Sequence, residues 1–278
     1  MPQNEAPTAE NPLPYVREPC SEAGPEDKTI VLILSTMRAG STLLKSLLGS
    51  ASDVSNIPEV NFQKYKYPGA YRQMAALSEE PIVVLKHPAW VYEVRSYPRL
   101  PPYPCVKKIV LTRDVYDTVS SIRRMLFGRY AQLLQRFANR LWAERYWCRV
   151  HENMLSLDIE HSSYTTWVRY EDILLNPVNE TERLFNFIGS EQKEGIASYN
   201  QPEKHTWKWG QDDGSERIRT LQVQPPRPGS YDNISLLRTI EHSPRICALR
   251  ERLGYGTLPP PEGSISHKSP SAFQARGH

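Results

Sequence analysis

Residues 29–48 read TIVLILSTMRAGSTLLKSLL, and this stretch decides the architecture. Its first part, Thr29 to Ser35, is a continuous apolar run rich in β-branched residues, the pattern of a strand buried on both faces. From Ser41 to Ser50 leucines recur at helical spacing. A strand, a polar loop and a helix in succession form the junction where α/β proteins hold phosphate, because free N–H groups and the helix dipole converge there. The loop, Ser35-Thr36-Met37-Arg38-Ala39-Gly40-Ser41-Thr42, departs from G-x-x-x-x-G-K-[ST] at two points: Ser35 replaces the first glycine, and no lysine separates Gly40 from Ser41. The loop instead carries its own cation, Arg38, with two hydroxyls just after the glycine. The chemistry expected of this loop is phosphate binding without the lysine of Mg²⁺-nucleotide enzymes; the bland alternative is a structural turn with a surface arginine.

Working outward, Ile82 to Lys86, Lys107 to Thr112 and Thr165 to Val168 are the further strand candidates. A helix is expected from Val115 with Asp114 as its N-cap. Arg129 to Leu157 reads as one long or broken amphipathic helix with Tyr130, Leu133, Leu134, Phe137 and Leu141 on one stripe. Glu180 to Ile188 reads as a helix stopped by Gly189, and two short helices fall near Leu236 and Ile246. Strands alternating with helices predict an α/β domain, P-loop NTPase-like, in three layers with a central, mainly parallel sheet. Its expected bounds are 29–256. Residues 1–28, with six prolines, are expected to be a disordered arm, and 257–278 a flexible tail.

Composition removes other classes. The 278 residues are 39% hydrophobic and 23% charged with a formal charge of +3, which suits a globular protein and gives no argument for nucleic acid as a partner. No apolar run approaches the ~18 residues of a membrane span. The polar, Pro-rich N-terminus resembles neither a secretory signal nor a transit peptide, so a soluble, cytoplasmic protein is expected. The four cysteines, Cys20, Cys105, Cys148 and Cys247, lie far apart and read as free thiols. The seven histidines form no zinc-like cluster, and no metal requirement is expected.

A second phosphate element follows the third strand candidate. Arg113 emerges at its carboxyl end, where open α/β sheets bind ligands, and Ser121 lies eight residues on, two turns along the next helix. An arginine's planar fork suits a phosphate there. Three segments in order now resemble the sulfotransferases that use 3′-phosphoadenosine 5′-phosphosulfate (PAPS). They are STMRAGSTLL (35–44), IVLTRDVYDTVSS (109–121) and VRYEDILLNP (168–177). The likeness spans about residues 29–189, and Arg38 and Leu43 make it closer to the tyrosylprotein, carbohydrate and bacterial branches than to the cytosolic small-molecule branch. The segment closing over the 3′-phosphate in the cytosolic branch has only a distant counterpart at 227–229.

The resemblance implies that the 5′-phosphosulfate lies on Arg38, Ala39, Gly40, Ser41 and Thr42, and the 3′-phosphate on Arg113 and Ser121, with Tyr170 near the adenine or ribose. It implies PAPS as sulfuryl donor, PAP as product, and an acceptor with a hydroxyl or amine. The transfer needs a base, cations on the leaving phosphate and in-line positioning. Arg38 is the expected leaving-group cation, assisted by Lys86. Glu59, in the loop after the first helix, is the favoured base, and His87 is the alternative. Strand alternation turns His87 to the face opposite Lys86. Glu171 and Asp172 are expected to cap the next helix, and Trp207-Lys208-Trp209 either closes over a ligand or packs its loop. A small P-loop kinase and a non-catalytic nucleotide-binding protein are the competing readings.

Overall fold

The structure, a computed structural model, describes residues 28–67, 69–101, 106–127, 135–156, 163–203, 205–207, 216–226 and 231–256. The expected arm up to residue 27, the tail from 257, Tyr130, Leu133, Leu134, Lys208, Trp209, Cys20, Cys105 and 227–229 lie outside the described residues. Strands β1 (Thr29–Thr36), β2 (Ile82–Ala89), β3 (Lys107–Thr112) and β4 (Thr165–Arg169) form one all-parallel sheet in the order β2-β1-β3-β4. The helices are α1 (Ser41–Leu48), α2 (Ala70–Ala75), α3 (Val115–Phe127), α4 (Gln135–Arg140), α5 (Arg149–Leu155), α6 (Tyr170–Leu175), α7 (Pro177–Ile188), α8 (Ile234–Glu241) and α9 (Pro244–Arg252). No helix among the described residues is long and apolar enough to cross a membrane.

Alternation along β1 divides the core into two layers. Leu32 and Leu34 pack with Val119, Trp142, Leu237 and Leu249 on one side, and Val31 and Ile33 pack with Leu44, Leu47, Leu184 and Phe185 on the other. The chain leaves β1 for β2 on one side and returns to β3 on the other, so the loops after β1 and β3 diverge. That reversal opens a crevice at the carboxyl ends of these strands. Asp114 caps α3 as expected: its Oδ1 accepts from the Tyr116 N–H at 2.8 Å and its carbonyl from Thr118 at 2.9 Å. Gly189, at φ 85°, ends α7.

β2 runs three residues further than expected, through His87, Pro88 and Ala89. It is an edge strand, where a proline's missing N–H on the open side costs no ladder bond. At this end two tyrosine hydroxyls enter the β1–β2 seam. The Ser35 N–H donates to the Tyr97 hydroxyl at 2.8 Å, which donates to the His87 carbonyl at 2.9 Å. The Met37 N–H donates to the Tyr146 hydroxyl at 2.7 Å, which donates to the Ala89 carbonyl at 2.6 Å. Burial pushes both phenols up, so each keeps the proton it donates.

Tyr146 comes from a π-helical stretch, Leu141–Cys148, between α4 and α5. Bonding from i to i+5 widens the turn and shifts the buried stripe off the α-helical period. Trp142, Tyr146 and Trp147 are therefore buried, and Leu141, expected on the apolar stripe, is only half-buried.

Tyr97→Phe and Tyr146→Phe should each leave a buried amide and carbonyl without a partner. The expected loss is about 1–3 kcal/mol per orphaned group, or roughly 2–4 °C of Tm per kcal/mol in a domain of this size. Wild-type melting temperatures in both variants would show that the hydroxyls do not hold the seam.

Candidate active site

After β1 the chain makes a left-handed turn, with Arg38 at φ 63° and Gly40 at φ 96°. Gly40 is demanded twice over, because a Cβ there would lie 2.3 Å from Cδ2 of Tyr170. Gly40 is also the N-cap of α1, and among the described residues no side chain caps that helix. Arg38 is held at both ends: its Nε donates to Ser121 Oγ at 3.0 Å, and its carbonyl accepts from Arg113 at 2.8 Å. The Arg113 guanidinium lies 4.5 Å over the Tyr170 ring. Five of the residues singled out from sequence, Arg38, Gly40, Arg113, Ser121 and Tyr170, thus form one cluster at the β1/β3 crevice.

The cluster carries unused polar capacity. The buried Arg113 Nε and the hydroxyls of Ser35, Thr36 and Ser120 have no hydrogen-bond partner among the described residues. Buried polar atoms are ordinarily paired, so these atoms suit a polar ligand in the crevice. Donors and a fixed cation beside an uncapped helix N-terminus fit an anionic group.

A second cluster stands at the edge of the sheet. The segment after Glu59 runs along β2, with the Val60 N–H donating to the Lys86 carbonyl at 3.2 Å. Lys86 faces α1 and donates to Thr42 Oγ1 at 3.0 Å, whereas His87 faces the other layer, edge-on to Phe62. Alternation separates the two side chains as expected, yet both meet one carboxylate, because Glu59 sits beyond the strand's edge. Lys86 Nζ lies 3.0 Å from Glu59 Oε2, and His87 Nδ1 lies 3.2 Å from Glu59 Oε1. The two candidate bases therefore touch each other. Ala39, Ser41 and Thr42 are buried between the clusters, at the start of α1.

Several working residues carried no sequence signal. Lys45 is wholly buried on α1, donates to the Ile57 carbonyl at 2.5 Å and lies 3.4 Å from His205 Nε2, which fastens the segment leading to Glu59. Glu93, in a short 3₁₀ turn (Val91–Glu93) after β2, reaches the other nitrogen of His87. Glu171 and Asp172 lie in the first turn of α6, the helix directly after β4, whose N-cap is Arg169; Asn176 is the N-cap of α7. Glu171 accepts from the Asp114 N–H and from the Tyr255 hydroxyl, and Asp172 takes both forks of Arg169. Burial pushes the Glu171 and Asp114 carboxyls up, and Arg250, 2.9 Å from Asp114, opposes the shift there. Trp207 packs into the core against Tyr199.

Residues 70–194 match the model of the sulfotransferase family, a span that holds Lys86, His87, Glu93, Arg113, Ser121 and Tyr170 but not the 35–42 loop or Glu59. No curated protein sequence matches the chain. Among solved structures it is similar to a sulfotransferase domain from the curacin biosynthetic pathway, at 17% identity and a TM-score of 0.53, covering 83% of this chain and 99% of that one. It is likewise similar to the sulfotransferase domain of the Synechococcus PCC 7002 olefin synthase, at 16% identity and 0.51, covering 84% and 98%. At such identities the structures speak for the fold, and the family match speaks for the segment that builds half of the site. Residues 70–194 thus match the sulfotransferase family, and the fold of the chain is that of solved sulfotransferase domains.

Proposed function

We propose that this protein moves a sulfuryl group from PAPS to a hydroxyl or amine acceptor, with Glu59 as general base. The observation that carries this reading is Lys86, which contacts the phosphate loop at Thr42 and the Glu59 carboxylate at the same time, at 3.0 Å each. One side chain thereby joins a phosphate-binding turn to a base, and an in-line displacement needs those two on opposite sides of the transferred atom. The donor supplies an activated sulfuryl group on a phosphate leaving group. Arg113, with an unused Nε, and Ser121 hold the 3′-phosphate, and Tyr170 backs Arg113. The α1 N-terminus with Ser41 and Thr42 holds the 5′-phosphate.

Glu59 takes the acceptor proton as the new oxygen–sulfur bond forms and the bond to the leaving phosphate breaks. Lys86 stabilises the charge growing on that phosphate. Arg38, placed by its Nε on Ser121, steadies the donor's phosphates from the Arg113 side, so Lys86 carries the leaving-group role more directly than Arg38. His87 is the weaker candidate for base, because carboxylates occupy both of its ring nitrogens.

PAP should raise the melting temperature in EDTA, and ATP far less, since ATP offers no 3′-phosphate. At ligand 100-fold above Kd the gain is about 2.7 kcal/mol. Arg113→Ala should remove most of the difference. Equal stabilisation by ATP, or none by PAP, would refute the donor assignment.

Glu59→Gln keeps the side-chain shape without the proton acceptor. PAP binding should survive, and kcat on a sulfated acceptor found by mass spectrometry should fall by roughly 10²–10⁴. His87→Asn should cost less. An inactive His87→Asn beside an active Glu59→Gln would move the base to the histidine.

A further inference from the structure

Glu93 lies outside every motif, yet its carboxylate is among the most tightly directed groups at the site. Oε2 accepts from the Trp90 N–H at 3.0 Å, folding the side chain back over its own turn. Oε1 accepts from Asn61 Nδ2 at 3.3 Å, and Asn61 Oδ1 is itself fixed by the Gln63 N–H at 3.0 Å. Both oxygens then face His87 Nε2, at 2.9 and 3.1 Å. Only 12% of the Glu93 side chain is exposed, so these bonds are shielded from water. On the far side of the ring, Nδ1 meets Glu59. A histidine with one nitrogen on a functional group takes its tautomer and ring orientation from what its other nitrogen meets.

We infer that Glu93 is a positioning residue for the sulfuryl transfer, acting through His87 to hold the Glu59 carboxylate toward the acceptor. This rests on the proposed role of Glu59. Glu93 accepts the Nε2–H of His87 and Glu59 Oε1 accepts its Nδ1–H, so the ring donates to both carboxylates, while Lys86 holds Oε2. The base is thus gripped at both oxygens by partners on opposite faces of β2, and one of these grips depends on Glu93. Its place four residues past the β2 end explains the arrangement. The turn Val91–Glu93 brings the side chain back over the strand's last residues, and the Asn61 amide brings in the Glu59 loop. Removing Glu93 should leave the Arg38–Ser121, Arg113–Arg38 and Arg113–Tyr170 contacts in place, since it takes no part in them.

The test is a double-mutant cycle in kcat on His87→Asn and Glu93→Gln, with PAP affinity and Tm measured for each variant. Glu93→Gln should lower kcat by about 10- to 100-fold, the scale known for carboxylates that orient metal-bound imidazoles. PAP affinity and the acceptor KM should stay near wild type. The double variant should be no slower than His87→Asn alone, because both changes break one line of contacts. Additive losses, or wild-type kcat in Glu93→Gln, would overturn the inference. An independent reading comes from ¹⁵N spectra of the imidazoles in the wild-type protein. Both ring nitrogens of His87 should carry protons, and a bare nitrogen on either side would also overturn the inference. A protein that binds PAP but sulfates no acceptor refutes the proposed reaction, and the imidazole spectrum still decides the Glu93–His87 contact.

Discussion

The turn at Arg38–Gly40 is the constraint on which the rest depends. A left-handed arginine costs about 1–2 kcal/mol, and a left-handed glycine beneath Tyr170 admits no other residue. The strain is held in place by bonds from several elements. Arg113 of the β3 end takes the Arg38 carbonyl, Ser121 of α3 takes its guanidinium, and Tyr146 of the π-helical stretch takes the Met37 amide. Released from that geometry, α1 would no longer start where its first turn faces the crevice. Thr42 would also lose its register with Lys86, and through it with Glu59.

This dependence explains why the site has two halves with different characters. The half proposed to hold phosphate lies between central strands and is built from cations, hydroxyls and the amides that open α1, so it suits an anion. The half proposed to hold the base lies at the sheet's edge, where a loop can lie alongside β2 without competing with another strand. Edge placement is what lets side chains from opposite faces of one strand, Lys86 and His87, converge on a single carboxylate. In the interior of the sheet the same two residues would be separated by the sheet itself.

Much of this was legible in the sequence, for physical reasons that differ by residue. β1 and β3 are buried on both faces and read as unbroken apolar runs, and their carboxyl ends locate Arg38 and Arg113 directly. Gly40 and Tyr170 were visible as members of motifs, and the structure adds the reason they travel together: one ring fills the space that a side chain would need. The π-helical stretch escaped because its hydrophobic period is not 3.6, which moved burial from Leu141 to Trp142 and Tyr146. Tyr97, Tyr146, Lys45 and Glu93 escaped because each acts across a large sequence separation with no local pattern; Tyr146 meets Met37 109 residues away. Strand alternation correctly set His87 opposite Lys86, but it carried no information on the loop that wraps the edge. The pairing of both with Glu59 is therefore a tertiary fact.

The account's central claim is that one donor spans the left-handed turn, with its 3′-phosphate on the Arg113 side and its reacting end toward Glu59. A crystal structure of the protein with PAP tests this most directly. The account predicts the 3′-phosphate within hydrogen-bonding distance of Arg113 and Ser121, the 5′-phosphate on the amides that open α1, and Lys86 between that phosphate and Glu59. PAP bound with its 3′-phosphate away from Arg113 and Ser121, or its 5′-phosphate away from α1, would contradict it.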